Sequence, residues 1–164
     1  MGTDRERVAS LARAVAFHLV SNGDCPQGVP RDFFEQVKKN SRRYEAKLLA
    51  SAKSLLVATD NRPETKLAML YGYTFRDGRC NWGRIVAVYA FAAVLGKECP
   101  AAREKVAEST GCFVAEHLSQ WICQQGGWDQ SKSRLKTAGH LFQLTTFMAA
   151  CLSEVSACIG MFFS

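Results

Sequence analysis

Ile85-Val86-Ala87-Val88-Tyr89-Ala90-Phe91-Ala92-Ala93-Val94-Leu95 is an unbroken run of eleven apolar residues, closed by Gly96. A helix that crosses a bilayer needs about 20 such residues, so this run is too short to span. A helix on a protein surface carries polar residues on its outer side, and this one carries none. An all-round apolar helix is one surrounded by other helices. The run therefore predicts a central, buried helix. Upstream, Arg76-Asp77-Gly78-Arg79-Cys80 is polar and turn-like, and Asn81 is a residue type that caps helix N-termini.

Outward from this rod, the remaining segments read as helices. Val8, Leu11, Ala12, Val15 and Leu19 are spaced three and four apart, one face of a helix over 5–20. Ser21-Asn22-Gly23-Asp24 stops it, and Pro26 and Pro30 mark a loop. Asp32 is predicted to cap a second helix carrying Phe33, Phe34, Val37, Tyr44, Leu48 and Leu49. Its outer face is basic, with Lys38, Lys39, Arg42, Arg43 and Lys47. Residues 50–59 continue or restart a helix, Asp60-Asn61-Arg62-Pro63 breaks it, and 64–75 form another through Leu67, Leu70 and Tyr71. Residues 101–125 form a long helix burying Val106, Phe113, Val114, Leu118, Trp121 and Ile122. Gly126-Gly127 ends it, because glycine readily takes the left-handed conformation at a helix C-terminus. No stretch alternates as a strand does, so the class is all-α.

At 164 residues, 48% hydrophobic and 22% charged, the chain suits one domain with a real core and excludes a disordered one. Its +6 charge permits attraction to anionic lipid or nucleic acid without demanding either. The basic face reads as solvated surface, so no nucleic-acid partner is expected. Seven cysteines, an odd number with no C-x-x-C pair, read as free thiols in a reducing, cytoplasmic setting, and no secretory leader opens the chain. His18, His117 and His140 are scattered, no nucleophile sits beside a base, and no phosphate loop exists. The expectation is a non-enzyme with no metal and no cofactor.

Two segments carry more. Phe75-Arg76-Asp77-Gly78-Arg79-Cys80-Asn81-Trp82-Gly83-Arg84-Ile85-Val86 and, about forty residues later, Trp121-Ile122-Cys123-Gln124-Gln125-Gly126-Gly127-Trp128-Asp129 closely resemble the first and second homology motifs of the B-cell lymphoma-2 (Bcl-2) family of apoptosis regulators. The resemblance implies a bundle of about eight helices around a central hydrophobic helix. It also implies a groove in which a partner's amphipathic death-motif (BH3) helix lays its apolar face. On these residues, Asn81 caps the central helix at the groove rim and Gly83 lets a partner backbone approach. Arg84 offers its planar fork to the partner's aspartate. Val88 and Phe91, one and two turns on, line the same wall. From the residues alone, Arg84 reads equally as an internal salt-bridge partner of Asp77 or Asp129.

The third homology motif, Leu, three residues, Gly, Asp, is missing from 33–48, where Lys38 and Lys39 stand near the expected Gly and Asp. Leu55 and Asp60 have its internal spacing but lie too close to Asn81. A lysine-bearing helix is a poor ligand for another member's arginine. The expectation is thus an anti-apoptotic receptor for partners such as Bim, Bak or Bax; the alternative is a membrane-permeabilising effector of the Bax/Bak type. Homodimerisation stays open, and the short length with an eroded third motif fits a virus-encoded mimic acting in a host cell. The expected layout is a bundle over 1–139 and an apolar tail over 140–164. That tail reads equally as an anchor at the mitochondrial outer membrane or endoplasmic reticulum and as final helices of the bundle.

Overall fold

The computed structural model of the chain describes residues 2–131. Every regular element among them is helical: α1 (Asp4–Val20), α2 (Arg31–Arg43), α3 (Glu45–Ala58), α4 (Glu64–Thr74), α5 (Trp82–Glu98), α6 (Arg103–Phe113) and α7 (Ser119–Gln124). The tail over 140–164, expected as an anchor or final helices, lies outside the described residues. Among the described residues no helix is long and apolar enough to cross a membrane.

The centre is α5. Trp82, Ile85, Val86, Ala87, Val88, Tyr89, Ala90, Phe91, Ala92, Val94, Leu95 and Gly96 are all buried, as an all-round apolar run requires. Around it pack α1, α2, α3 and α6, while α4 lies on α6. The helix runs two residues past Gly96, because that glycine is a contact point and not a stop. A β-carbon there would stand 2.5 Å from Val20 Cγ1, so the helix axes of α1 and α5 meet at a distance only a hydrogen side chain allows. Gly111 does the same for α6, where a β-carbon would lie 2.9 Å from Arg13 Cα.

The first helix is the best-defined at its start. Thr3 accepts from the Glu6 N–H while the Glu6 side chain accepts from the Thr3 N–H, a reciprocal cap. Two buried ring donors reach its backbone from elsewhere. Tyr89 Oη donates to the Ala12 carbonyl at 2.9 Å and Trp128 Nε1 to the Val8 carbonyl at 3.2 Å. Phe33, Trp82, Tyr89 and Trp128 form an edge-to-face cluster, with Phe33 and Trp128 centroids 5.1 Å apart, and Trp121 joins through Trp82 at 5.4 Å. The three tryptophans thus fasten the head of α5 to the end of α7.

Three boundaries differ from the sequence reading. Asp32 lies within the first turn of α2 and makes no cap; Pro30 precedes the helix, and its fixed φ suits that place. The second helix breaks at Tyr44, not near residue 50. There Asn40 Nδ2 donates to the Gln36 carbonyl and Ser41 Oγ to the Lys38 carbonyl, side-chain bonds of the kind that bend a helix, just before the break. The long final rod opens with a 3₁₀ turn (Pro100–Ala102) and contains one wide π turn (Val114–Leu118) between α6 and α7. Gly126 and Gly127, at φ 98° and 88°, end it as glycine pairs do.

Candidate functional site

The head of α5 is built by its cap. Asn81 is extended, and its side-chain oxygen accepts the N–H of Arg84 at 2.9 Å, satisfying a donor that the first helical turn leaves open. That same turn places Arg84 at the positive end of the helix dipole, where a cation is disfavoured unless an anion answers it. The answer is Asp77. Arg84 Nη1 and Nη2 each donate to one Asp77 carboxylate oxygen at 2.6 Å, a two-pronged pairing. Nη1 also donates to the carbonyls of Arg79 at 2.9 Å and Thr74 at 3.2 Å, and the Phe75 ring lies 6.0 Å from the guanidinium carbon.

The Arg84 side chain is 11% exposed and that of Asp77 37%, so the pair sits at the surface with its cation turned inward. Hydrogen bonds from Arg84 and from the Arg79 N–H hold the Asp77 carboxyl well below the usual carboxylate range. Burial pushes the neighbouring Cys80 thiol up to about 12, against the pull of Arg84. Cys80 is therefore a thiol at neutral pH and no nucleophile. Five cysteines, Cys25, Cys80, Cys99, Cys112 and Cys123, are free among the described residues.

Of the five expected groove residues, the structure brings Asn81, Gly83 and Arg84 together at one end of α5. Asn81 is exposed, while Gly83 and Arg84 are half-buried. Val88 and Phe91 follow on the same helix but have no exposed area. A partner helix reaches them only if the packing on that side parts. The choice between Asp77 and Asp129 for Arg84 falls to Asp77. Sequence reasoning missed Phe75 and the Thr74 and Arg79 carbonyls as parts of the same cradle. Backbone acceptors leave no mark in residue type, so only their nearness in the chain could have suggested them.

The apolar stripe of α2 faces inward: Phe33, Phe34 and Val37 are wholly buried. Lys38, half-buried, donates to the Gly23 carbonyl at 3.1 Å and lies 5.0 Å from the Phe34 ring centre. Among the described residues no three His, Cys, Asp or Glu side chains gather as a metal site would need.

A sequence profile for the apoptosis regulator proteins of the Bcl-2 family matches residues 34–128, from α2 to the turn that holds Trp128. The chain belongs to the Bcl-2 family. It is 40% identical to Bcl-2-related protein A1 of Bos taurus over 63 residues, which are 34% of this chain and 36% of that protein. With the apoptosis regulator BAX of Homo sapiens it shares 43% over 60 residues, 34% of this chain and 31% of BAX. The chain thus spans only about a third of these two Bcl-2 relatives. A longer match, 23% over 133 residues, covers 78% of this chain and 75% of the anti-apoptotic protein NR13 of Coturnix japonica. These relatives include one named as anti-apoptotic and a BAX protein, so membership fixes the family and leaves the direction of regulation to argument.

Proposed function

We propose that the chain restrains cell death by holding the BH3 helices of pro-apoptotic family members, such as Bim, Bak or Bax, alongside α5. The observation that carries this reading is the Arg84 guanidinium. It already grips a carboxylate with both prongs, from a cradle of backbone carbonyls that fixes its plane. A partner helix's aspartate fits the same fork by taking the place of Asp77. Asn81 and Gly83 then form the rim, and Val88 and Phe91 become the floor once the covering helices shift. Binding in this scheme opens the groove as it fills it, and part of the binding energy is spent on that opening.

Three observations support an inhibitor over an effector. For α2 to serve as a ligand in another member's groove it would have to expose Phe33, Phe34 and Val37, at a cost of about 1.5–3 kcal/mol each. Lys38 and Lys39 also stand where a ligand helix would offer an acid. A relative matched over most of both chains is named as an anti-apoptotic protein. A second reading, a membrane-permeabilising effector of the Bax/Bak type, draws on the 43% identity with human BAX. Cytoplasmic residence, with 140–164 as an anchor at the mitochondrial outer membrane or endoplasmic reticulum, belongs to both readings.

The test measures affinity for a fluorescent BH3 peptide and release of dye from liposomes. Arg84→Ala is expected to weaken peptide binding by roughly tenfold or more, about 1.4 kcal/mol. An inhibitor suppresses release by an added effector; the effector reading instead expects release by this chain alone. Unchanged peptide affinity in a folded Arg84→Ala protein overturns the groove.

A further inference from the structure

At the opposite end of α5, a cleft of about 770 Å³ opens between the end of α1, α2, the last turn of α5 and the start of α6. Four cations converge on it: Lys38 and Arg42 from α2, Lys97 from α5 and Arg103 from α6. Glu45 is the one acid among its lining residues, and it is held by Lys97 at 2.8 Å. Lys38 and Arg103 are oriented by backbone carbonyls, Lys38 Nζ on Gly23 and Arg103 Nε on Gly96 at 3.4 Å. Each contact uses only part of the donor set of its side chain. The Arg42 side chain makes no hydrogen bond or ion pair among the described residues and is exposed. The floor beneath them, with Leu19, Val20 and Val94, is apolar and nearly closed to water.

We infer that this cleft binds a phosphate-bearing anion. Like charges gathered around a concavity with an apolar floor focus a positive potential into it. The volume falls in the range of small-molecule sites, about 300–1,000 Å³. Two guanidinium forks and two ammonium groups offer more donors than one carboxylate accepts, whereas a phosphate presents three or more oxygens to several cations at once. Helix C-termini also attract cations without any ligand. That explanation covers Lys97, in the last turn of α5, and Lys38 and Arg103 through their carbonyls. Arg42, in the last turn of α2, is placed by the same effect, but no carbonyl or carboxylate holds its guanidinium, so its donors stay open to a ligand.

The experiment uses the full chain and two kinds of probe. Soluble inositol hexakisphosphate is titrated by calorimetry, and co-sedimentation is measured with phosphatidylcholine vesicles, plain or mixed with phosphatidic acid. Two double charge reversals are compared. Arg42→Glu with Arg103→Glu alters the cleft; Lys39→Glu with Arg43→Glu makes the same charge change on exposed positions of α2 outside it. At least one phosphate probe is expected to bind, weakened about tenfold or more by the first pair and about twofold or less by the second. Response to the soluble probe alone identifies a free phosphate ligand, and response to the acidic vesicles identifies a lipid headgroup. If neither probe binds, or if both pairs weaken binding equally, the site is refuted and only net charge is at work. Thermal melts check that each variant folds; should the first pair fail, Arg42→Gln with Arg103→Gln carries the same expectation.

Discussion

The two ends of α5 solve opposite electrostatic problems. At its head, Arg84 sits where the helix's own N–H groups make a cation unwelcome, and the chain answers with Asp77 and two carbonyls that close over the charge. At its foot, Lys97 lies in the last turn, where cations are welcome, and Arg103 reaches the Gly96 carbonyl; Glu45 pairs with Lys97, and the remaining cations stay spread around an open cleft. The difference teaches that a basic residue's availability depends on the acids and carbonyls gathered around it, and not on exposure alone. It also separates two modes of recognition: displacement of a resident acid at the head, and direct capture at the foot.

The largest effect is expected where the head is anchored. Phe33→Ala removes the ring that touches Trp82, Tyr89 and Trp128, and should lower stability by about 3–5 kcal/mol in urea unfolding. A loss below about 1 kcal/mol would mean that the aromatic cluster does not hold the head. At the foot, Gly96→Ala drives a methyl group against Val20 and is expected to cost about 1–3 kcal/mol. If the variant is as stable as the parent, the close approach of α1 and α5 is not a constraint.

The smallest effect separates the ends by pH. Because the Asp77 carboxyl is held below its ordinary range in the folded chain, its pairing with Arg84 stabilises fully above that range, about pH 4. The contribution is lost as acidification passes through the lowered folded value. Asp77→Asn should therefore be less stable than the parent at neutral pH, and the gap should narrow progressively below about pH 4. Denaturant melts across that window check it; a gap that stays constant would show that the charge of Asp77 contributes nothing.

Much of this could be read from residue order. The buried rod followed from its unbroken apolar run, and the cap from a short polar residue placed just before it. Arg84 was visible as a charge needing an acid, but spacing could not choose between Asp77, before the helix, and Asp129, brought near only by folding. The break at Tyr44 was hidden because the apolar and basic stripes run through it without a fault. Beside the break, two side chains bond to carbonyls of the preceding turn, which no periodicity records. Spacing correctly set Val88 and Phe91 on one strip with Arg84. It could not say how closely the neighbouring helices would cover them.

The profile match begins at residue 34, after the first helix has ended. Yet the buried donors of Tyr89 and Trp128 end on carbonyls of that helix, one turn apart. A fragment trimmed to the recognisable region would lose both hydrogen bonds, at about 0.5–1.5 kcal/mol apiece, and uncover the flank of α6 that rests on Arg13 and Ala16. The opening segment is thus the keystone of the arch: a part outside the profile match braces the part within it.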